Sequence, residues 1–128
     1  MKLLLDTHVF IWLSCEPERL PAGVVEACES GDNQVVLSVV SVLEMEIKLA
    51  SRRLVLPMPP DEMLSTHRRE NDLAVLDLRL AHVHAFRRLP PVHKDPFDRL
   101  LVAQALAEDA VLVSGDKRLS GYPVKILW

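Results

Sequence analysis

Residues 110–117 read AVLVSGDK, an apolar run that leads through a short turn to Asp116. Residues 2–8, KLLLDTH, repeat this arrangement with Asp6 directly after the leucines. Two further runs, 34–39 and 74–76, are equally short, and residues 124–128 are a candidate fifth. Continuous rather than alternating apolar runs are typical of strands buried on both faces. We therefore predict a parallel sheet.

Helical patterns separate these runs. They cover residues 21–29, 41–52, 61–70 and 80–88, and a further helix opens at Pro96. We expect Ser41 and Asp95 to cap the helices that follow them. Alternating strands and helices predict a three-layer α/β fold with helices on both faces of the sheet. The proline-rich stretches 57–60 and 89–91 are interpreted as stiff turns, so residues 1–128 are expected to form a single domain.

Composition narrows the class of protein. The 128 residues are 49% hydrophobic, which suits one compact core, and the net charge of −3 does not indicate a strongly basic nucleic-acid binder. Asp6 and His8 interrupt the N-terminal apolar run, and no uncharged stretch approaches the ~18 residues that a membrane span needs. Cys15 and Cys28 have no metal-binding spacing. We expect a soluble, cytoplasmic protein that makes no membrane contact.

Four acids fall at related places in this pattern. Asp6 and Asp116 follow predicted strands, and Glu44 and Asp98 lie in the first turns expected for the helices that begin near Ser41 and Pro96. In open α/β sheets, ligands bind beyond the carboxyl ends of the strands, and the helices that follow strands begin at the same edge. The sequence therefore predicts that four carboxylates from distant segments meet at one rim.

Each acid also has an ordinary interpretation. Asp6 could cap the helix after it, and Glu44 could pair with Lys48 one turn later. Asp98 could complement a helix dipole, and Asp116 could occupy a turn. None of these signals is specific alone. Their shared location favours the functional interpretation.

A cluster of carboxylates needs positive charge. Two unit charges ~4 Å apart repel by about 4 kcal/mol at an effective dielectric of 20, whereas a whole domain is stable by only ~5–15 kcal/mol. Oxygen-only ligands select hard ions such as Mg²⁺ or Mn²⁺ and disfavour zinc. Such an ion can activate water and neutralise charge that develops on a phosphodiester. A metal-dependent nuclease is one class of protein that would use such a site.

Several segments resemble a known family. Residues 4–8 (LLDTH) and 38–48 (SVVSVLEMEIK) resemble the opening of PIN-domain ribonucleases. Residues 93–105 (HKDPFDRLLVAQA) more specifically resemble the signature of VapC-type toxins of bacterial toxin–antitoxin pairs, and residues 113–116 with 122–124 match the end of the family pattern. The resemblance spans essentially the whole chain in the right order.

The resemblance carries several expectations. It implies a PIN fold with a central parallel sheet of four or five strands flanked by helices. It implies an endoribonuclease that depends on Mg²⁺ or Mn²⁺, cleaves tRNA or rRNA and inhibits translation. The chain would form a homodimer, and a cognate VapB-type antitoxin would inhibit it.

The resemblance also assigns roles. Asp6, Glu44, Asp98 and Asp116 match the acidic quartet of the family. Asp6 and Asp98 would ligate the metal directly. Asp116 and Glu44 would ligate a second metal, bind through water, or orient the attacking water. Thr7 would support these ligands through a hydrogen bond.

Other residues near the quartet have lesser expected roles. Asp95 matches no quartet position and is interpreted as a helix cap or a support for the ligands. Several basic residues near the predicted rim could follow an RNA backbone, and Lys94, Arg99 and Lys117 are those we expect to contact it. The others are Lys48, Arg52, Arg53, Arg87, Arg88 and Arg118. His8 and His93 are either general acids or ordinary packing and loop residues.

Two positions depart from the pattern of relatives. Glu46 stands where a small residue is common, and we expect it to face away from Glu44. Gly115 stands directly before Asp116, and a glycine there is compatible with the close approach of a ligand.

Competing functions remain open at the level of sequence. A PIN-like scaffold could bind RNA or a partner without cutting it, and DNA cleavage stays open because these residues do not reveal a ribose preference. A phospho-receiver domain would need paired acids after the first strand, where only Asp6 stands, although Asp77 and Lys117 loosely match its later residues. Phe10 to Trp12 belong to the core or line a groove for a dimer or antitoxin partner.

Overall fold

A five-stranded, fully parallel sheet forms the centre of the computed structural model, which describes all 128 residues. The strands are β1 (Lys2–Leu5), β2 (Gln34–Ser38), β3 (Ala74–Leu76), β4 (Val111–Val113) and β5 (Ile126–Leu127). They lie in the order β3-β2-β1-β4-β5. The predicted parallel sheet is confirmed, and the candidate fifth strand is part of it.

Six α-helices flank the sheet. They are α1 (Thr7–Cys15), α2 (Ala22–Glu29), α3 (Val39–Ala50), α4 (Pro60–Glu70), α5 (Leu80–Phe86) and α6 (Pro96–Ala107), with short 3-10 helices at Pro17–Arg19 and Lys117–Gly121. No helix is both long and apolar enough to cross a membrane.

The hydrophobic core lies in two clusters, one on each face of the sheet. Leu3 and Leu5 of β1 join one cluster, whereas Leu4 between them joins the other. Successive residues of a strand point to opposite faces, so a continuous apolar run serves a strand that is covered on both sides. The three-layer arrangement predicted from the sequence is confirmed.

The strand order places a topological switch beside β1. From β1 the chain proceeds outward through β2 to β3, then returns to place β4 on the other side of β1. The last residues of these two strands are aligned, since Leu5 is the register partner of Val113. Crevices at such switch points, beyond the carboxyl ends of the strands, bind ligands in open α/β sheets. Asp6 and Asp116 flank this point.

The start of α3 differs from the prediction. Ser38, not Ser41, is the N-cap, and its hydroxyl oxygen accepts a hydrogen bond from the Val40 N–H at 3.0 Å. The reason is that β2 runs directly into the helix without a loop, so the cap is the last residue of the strand. Glu44 consequently lies in the second turn of α3 rather than the first.

Candidate active site

A cleft of about 370 Å³ contains all four predicted acids. Its acidic residues are Asp6, Glu44, Asp95, Asp98 and Asp116, its basic residues Lys48, Arg53 and Arg118, and its other lining residues Thr7, His8, Ile11, Trp12 and Leu54. The cleft therefore combines five acids, here called the acidic centre, with three basic residues and the apolar side chains of Ile11, Trp12 and Leu54.

Asp6 is anchored at the end of β1. Its backbone N–H donates to the Val113 carbonyl, which extends the sheet by one bond. Its Oδ1 accepts from the Thr7 N–H at 2.7 Å, and its Oδ2 accepts from the Ser114 hydroxyl at 2.6 Å. Asp6 is thus the N-cap of α1 and also one of the acids that line the cleft. Burial raises the pKa of Asp6, although nearby His8 and these hydrogen bonds oppose the shift.

Glu44 is buried and held from two sides. Its Oε1 accepts from the Thr7 hydroxyl at 2.6 Å, and its Oε2 accepts from the Lys48 ammonium at 2.6 Å. The Ser41 hydroxyl lies 3.0 Å from that of Thr7 and completes the contact between α1 and α3. Glu44 therefore pairs with Lys48, as the ordinary interpretation predicts, and it also lines the cleft. Glu46 is exposed and lies outside the cleft lining.

Asp98 and Asp116 meet around one imidazole. Nε2 of His93 lies 3.2 Å from Oδ2 of Asp98 and 3.3 Å from Oδ2 of Asp116. Arg118 approaches Asp116 from the other side, donating from Nε to Oδ1 and from Nη2 to Oδ2, each at 3.0 Å. His93 is buried, whereas the Arg118 side chain is 71% exposed.

The two aspartates have opposite electrostatic surroundings. Hydrogen bonds from Arg118 hold the pKa of Asp116 down to about 2. Burial, together with the negative charges of Asp6, Asp95, Glu44 and Asp116, raises the pKa of Asp98 to about 7. The cleft thus contains more negative charge around Asp98 than its own basic groups balance.

Asp95 supports Asp98 through the helix that carries both. Oδ1 of Asp95 accepts from the backbone N–H groups of Phe97 at 2.8 Å and Asp98 at 3.3 Å, and Pro96 takes the first helical position. A proline at this position loses no intrahelical hydrogen bond. The predicted cap of α6 is present, and it fixes the turn from which Asp98 extends.

The chemistry of these donors fits a hard divalent ion. Carboxylate oxygens are the ligands that Mg²⁺ and Mn²⁺ prefer, and a cation would relieve the unfavourable charge around Asp98. Carboxylate oxygens of Asp98 and Asp116 lie within 4.8 Å of each other and of a ring nitrogen of His93. The residues present therefore suit the metal that the sequence predicts.

None of the three basic residues expected to contact RNA lines the cleft. The guanidinium of Arg99 packs over the Phe86 ring, with Cζ 4.4 Å from the ring centroid, and donates to the carbonyls of Phe86 and Leu89. It therefore joins α6 to the end of α5 and does not reach the cleft. Lys94 and Lys117 are exposed beside the cleft but do not line it. The basic residues that line the cleft are Lys48, Arg53 and Arg118.

Sequence reasoning assigned no site role to Ser41 or Ser114, although their hydroxyl groups contact Thr7 and Asp6. The structure also bears on the expectations for Gly115 and for Phe10 to Trp12. A Cβ on Gly115 would lie 2.6 Å from ring carbons of Trp128, so the close approach at this glycine is made by the C-terminal indole rather than by a ligand. Phe10 is in the core, whereas its neighbours Ile11 and Trp12 line the cleft.

Comparison with known proteins agrees with this architecture. Ribonuclease VapC22 of Mycobacterium tuberculosis is 30% identical over 131 residues, which cover 94% of this chain and 91% of that protein. The fold is similar to that of the VapBC2 complex of Rickettsia felis bound to a promoter DNA fragment, with a TM-score of 0.76, 15% identity, and coverage of 99% and 98% of the two chains. FitAcB of Neisseria gonorrhoeae gives a TM-score of 0.63 with 19% identity and coverage of 98% and 96%. The PIN domain family matches residues 3–125, so the chain belongs to the PIN domain family.

Proposed function

We propose that this protein is an endoribonuclease that depends on Mg²⁺ or Mn²⁺ and acts as the toxin of a VapBC-type toxin–antitoxin pair. The observation that carries the proposal is the convergence of Asp6, Glu44, Asp98 and Asp116 in one cleft at the carboxyl edge of the sheet. The similarity to Ribonuclease VapC22 over 94% of the chain supports the assignment to RNA.

Asp6 and Asp98 are the proposed direct ligands of the ion, with Asp116 and Glu44 as further ligands or as groups that position the attacking water. When bound, the ion would supply stabilisation of charge developing on the phosphodiester and activation of water. The hydroxyl groups of Thr7 and Ser114 hold Glu44 and Asp6, respectively, in fixed orientations.

The basic residues of the cleft are proposed to contact the phosphates of the RNA substrate. An RNA backbone approaching four carboxylates is repelled unless positive charges accompany them. Lys48, Arg53 and Arg118 lie on the same cleft as the acids and are our proposed phosphate contacts. Lys94 and Lys117 are exposed and adjoin the cleft-lining residues Asp95 and Asp116 in the chain, and we propose that they extend this contact along the backbone. We propose tRNA or rRNA as the substrate and the cytoplasm as the compartment.

A cognate VapB-type antitoxin and a second copy of the chain are the proposed partners. The solved complexes of Rickettsia felis and Haemophilus influenzae are VapBC assemblies with the same fold. On this chain, large apolar side chains are exposed on α3, where Leu43 and Ile47 are one turn apart, and on α5, at Leu80 and Val83. Such residues supply apolar surface for protein contacts.

Cleavage of RNA in the presence and absence of a chelator tests the proposed function. The purified protein is incubated with total tRNA and with rRNA, and the new RNA ends are mapped. We expect cleavage with Mg²⁺ or Mn²⁺, none with EDTA and none by an Asp6→Asn variant. Glu46→Gln is the matched control, because Glu46 is an exposed acid outside the cleft. RNA binding without cleavage under all these conditions would instead support the scaffold alternative.

A further inference from the structure

His93 is held in place by both its backbone and its ring. Its backbone N–H donates to the Tyr122 hydroxyl at 2.9 Å, and its Nδ1 accepts from the Asp95 N–H at 3.0 Å. The side chain is only 5% exposed. The ring thus has a defined orientation, with Nε2 directed at the two aspartates.

The contact with Asp95 also fixes the tautomer. A ring nitrogen that accepts from a backbone N–H cannot carry a proton, so the proton of neutral His93 must be on Nε2. That N–H donates to Oδ2 of Asp116 at 3.3 Å and lies 3.2 Å from Oδ2 of Asp98. A metal ligand would need the lone pair of Nε2, which this tautomer does not offer.

We propose that His93 is a positioning residue that holds Asp98 and Asp116 together through its Nε2–H, and that it is not a metal ligand. The inference rests on the proposed function, because it concerns the same acidic centre. Asp116 has Arg118 as a second partner, whereas no other side-chain base lies within ion-pair distance of Asp98. The Nε2–H of His93, which is hydrogen-bonded to Asp116, therefore lies beside Asp98 and leaves its carboxylate oxygens available to a cation.

Nitrogen NMR of the metal-free protein tests the hydrogen-bonding arrangement directly. Long-range ¹H–¹⁵N spectra distinguish the two imidazole tautomers, and loss of the signal in His93→Gln assigns it. We expect the Nε2–H tautomer, unchanged when Mg²⁺ is added. An Nδ1–H tautomer in either sample would overturn the proposal, because that form leaves Nε2 free to ligate.

Paired substitutions separate positioning from simple packing. His93→Phe keeps a ring without an N–H, whereas His93→Gln keeps an amide N–H that can reach the place of Nε2. Loss of a partner that orients metal ligands typically costs about 10–100-fold in metal affinity or activity. We expect His93→Phe to lower kcat for RNA cleavage by about that factor with little change in KM. His93→Gln should recover most of the loss.

The control is His84→Phe, which alters an exposed histidine of α5 outside the cleft. Equal loss in His93→Gln and His93→Phe, in proteins with unchanged thermal unfolding, would contradict a role for the N–H. A wild-type protein that cleaves no RNA would count against the proposed function, and the tautomer measured by NMR would still decide how His93 is bonded.

Discussion

Thr7 shows how a single hydroxyl organises the acidic centre. Its backbone N–H donates to Asp6, and its side chain donates to Glu44, so one residue contacts acids from two different elements. Ser114 donates to the second oxygen of Asp6. Neutral donors of this kind hold carboxylates close together without filling the site with fixed positive charge.

Asp98→Asn should make the metal-free protein more stable and abolish its activity. The substitution removes a carboxylate whose pKa is raised to about 7 by burial and neighbouring acids. After discounting for solvent screening, we expect a gain of about 1–2 kcal/mol at alkaline pH, measured by urea unfolding in EDTA. RNA cleavage should fall by at least about 100-fold. Glu46→Gln serves as the control, and a destabilised Asp98→Asn protein would show that repulsion at this site is negligible.

Gly115→Ala should destabilise the protein through a clash with Trp128. The added Cβ would lie 2.6 Å from two ring carbons, so the indole or the backbone must move. Overpacking of this kind costs about 1–3 kcal/mol. Gly31→Ala is the matched control, since nothing lies within 4 Å of a Cβ at that position. If Trp128→Ala did not reduce the cost of Gly115→Ala in a double-mutant cycle, the clash would not be the cause.

At the scale of elements, helix α6 delivers Asp98 because its first turn is well defined. Asp95 caps the helix, Pro96 begins it, and Leu101, Val102 and Ala105 bury its inner side in the core. Arg99, one position after Asp98, points elsewhere because successive helical residues are ~100° apart around the axis. The same helix therefore presents one residue to the cleft and the next to the loop after α5.

Asp95→Ala should weaken α6 and displace Asp98. The substitution removes the acceptor for two N–H groups of the first turn, and loss of such a cap costs about 1 kcal/mol. Asp95→Asn retains a capping oxygen, so its thermal unfolding should stay close to that of the wild type. Activity should be lower in the alanine variant than in the asparagine variant. Equal unfolding of both variants and the wild type would contradict the capping role.

At the scale of the whole molecule, the charge of the cleft affects the stability of the fold. The folded protein holds a proton on Asp98 up to pH about 7, whereas the unfolded chain releases it near 3.8. Between these values the folded state binds more protons, so stability falls as pH rises. Asp116 affects stability in a different pH range. Because its pKa in the folded state is about 2, its ionised carboxylate stabilises the fold above the ordinary pKa of 3.8, and this contribution is lost as pH falls from 3.8 towards 2.

The metal-free protein should therefore unfold at a lower temperature at pH 8 than at pH 5. Because ligands must be deprotonated, Mg²⁺ should raise the unfolding temperature more at pH 8 than at pH 5. Differential scanning calorimetry in EDTA and in Mg²⁺ measures both effects. Asp98→Asn should flatten the pH dependence. If the unfolding temperature of Asp98→Asn depended on pH as strongly as that of the wild type, groups other than Asp98 would be responsible for the dependence.

The sequence alone determined the α/β class, the parallel sheet, the cap of α6 and the positions of Asp6, Asp98 and Asp116 after strands or in the first turn of a helix, whereas Glu44 lies one turn further into α3 than predicted. These features follow from local properties: apolar runs, capping residues and the rule that parallel strands end at one edge. The motifs of residues 4–8, 38–48 and 93–105 also indicate the family.

Only the tertiary structure decided which side chains contact these acids. Ser114 and Asp6 are 108 positions apart in the chain, and His93 and Asp116 are 23 apart. Their contacts depend on β4 lying beside β1 and on the loop before α6 reaching that edge, and no local pattern encodes either. The close approach of Gly115 to Trp128 and the contacts of Arg99 with Phe86 and Leu89 likewise depend on the tertiary structure. Spacing along a chain specifies elements, whereas the order in which strands pair specifies the neighbours of each side chain.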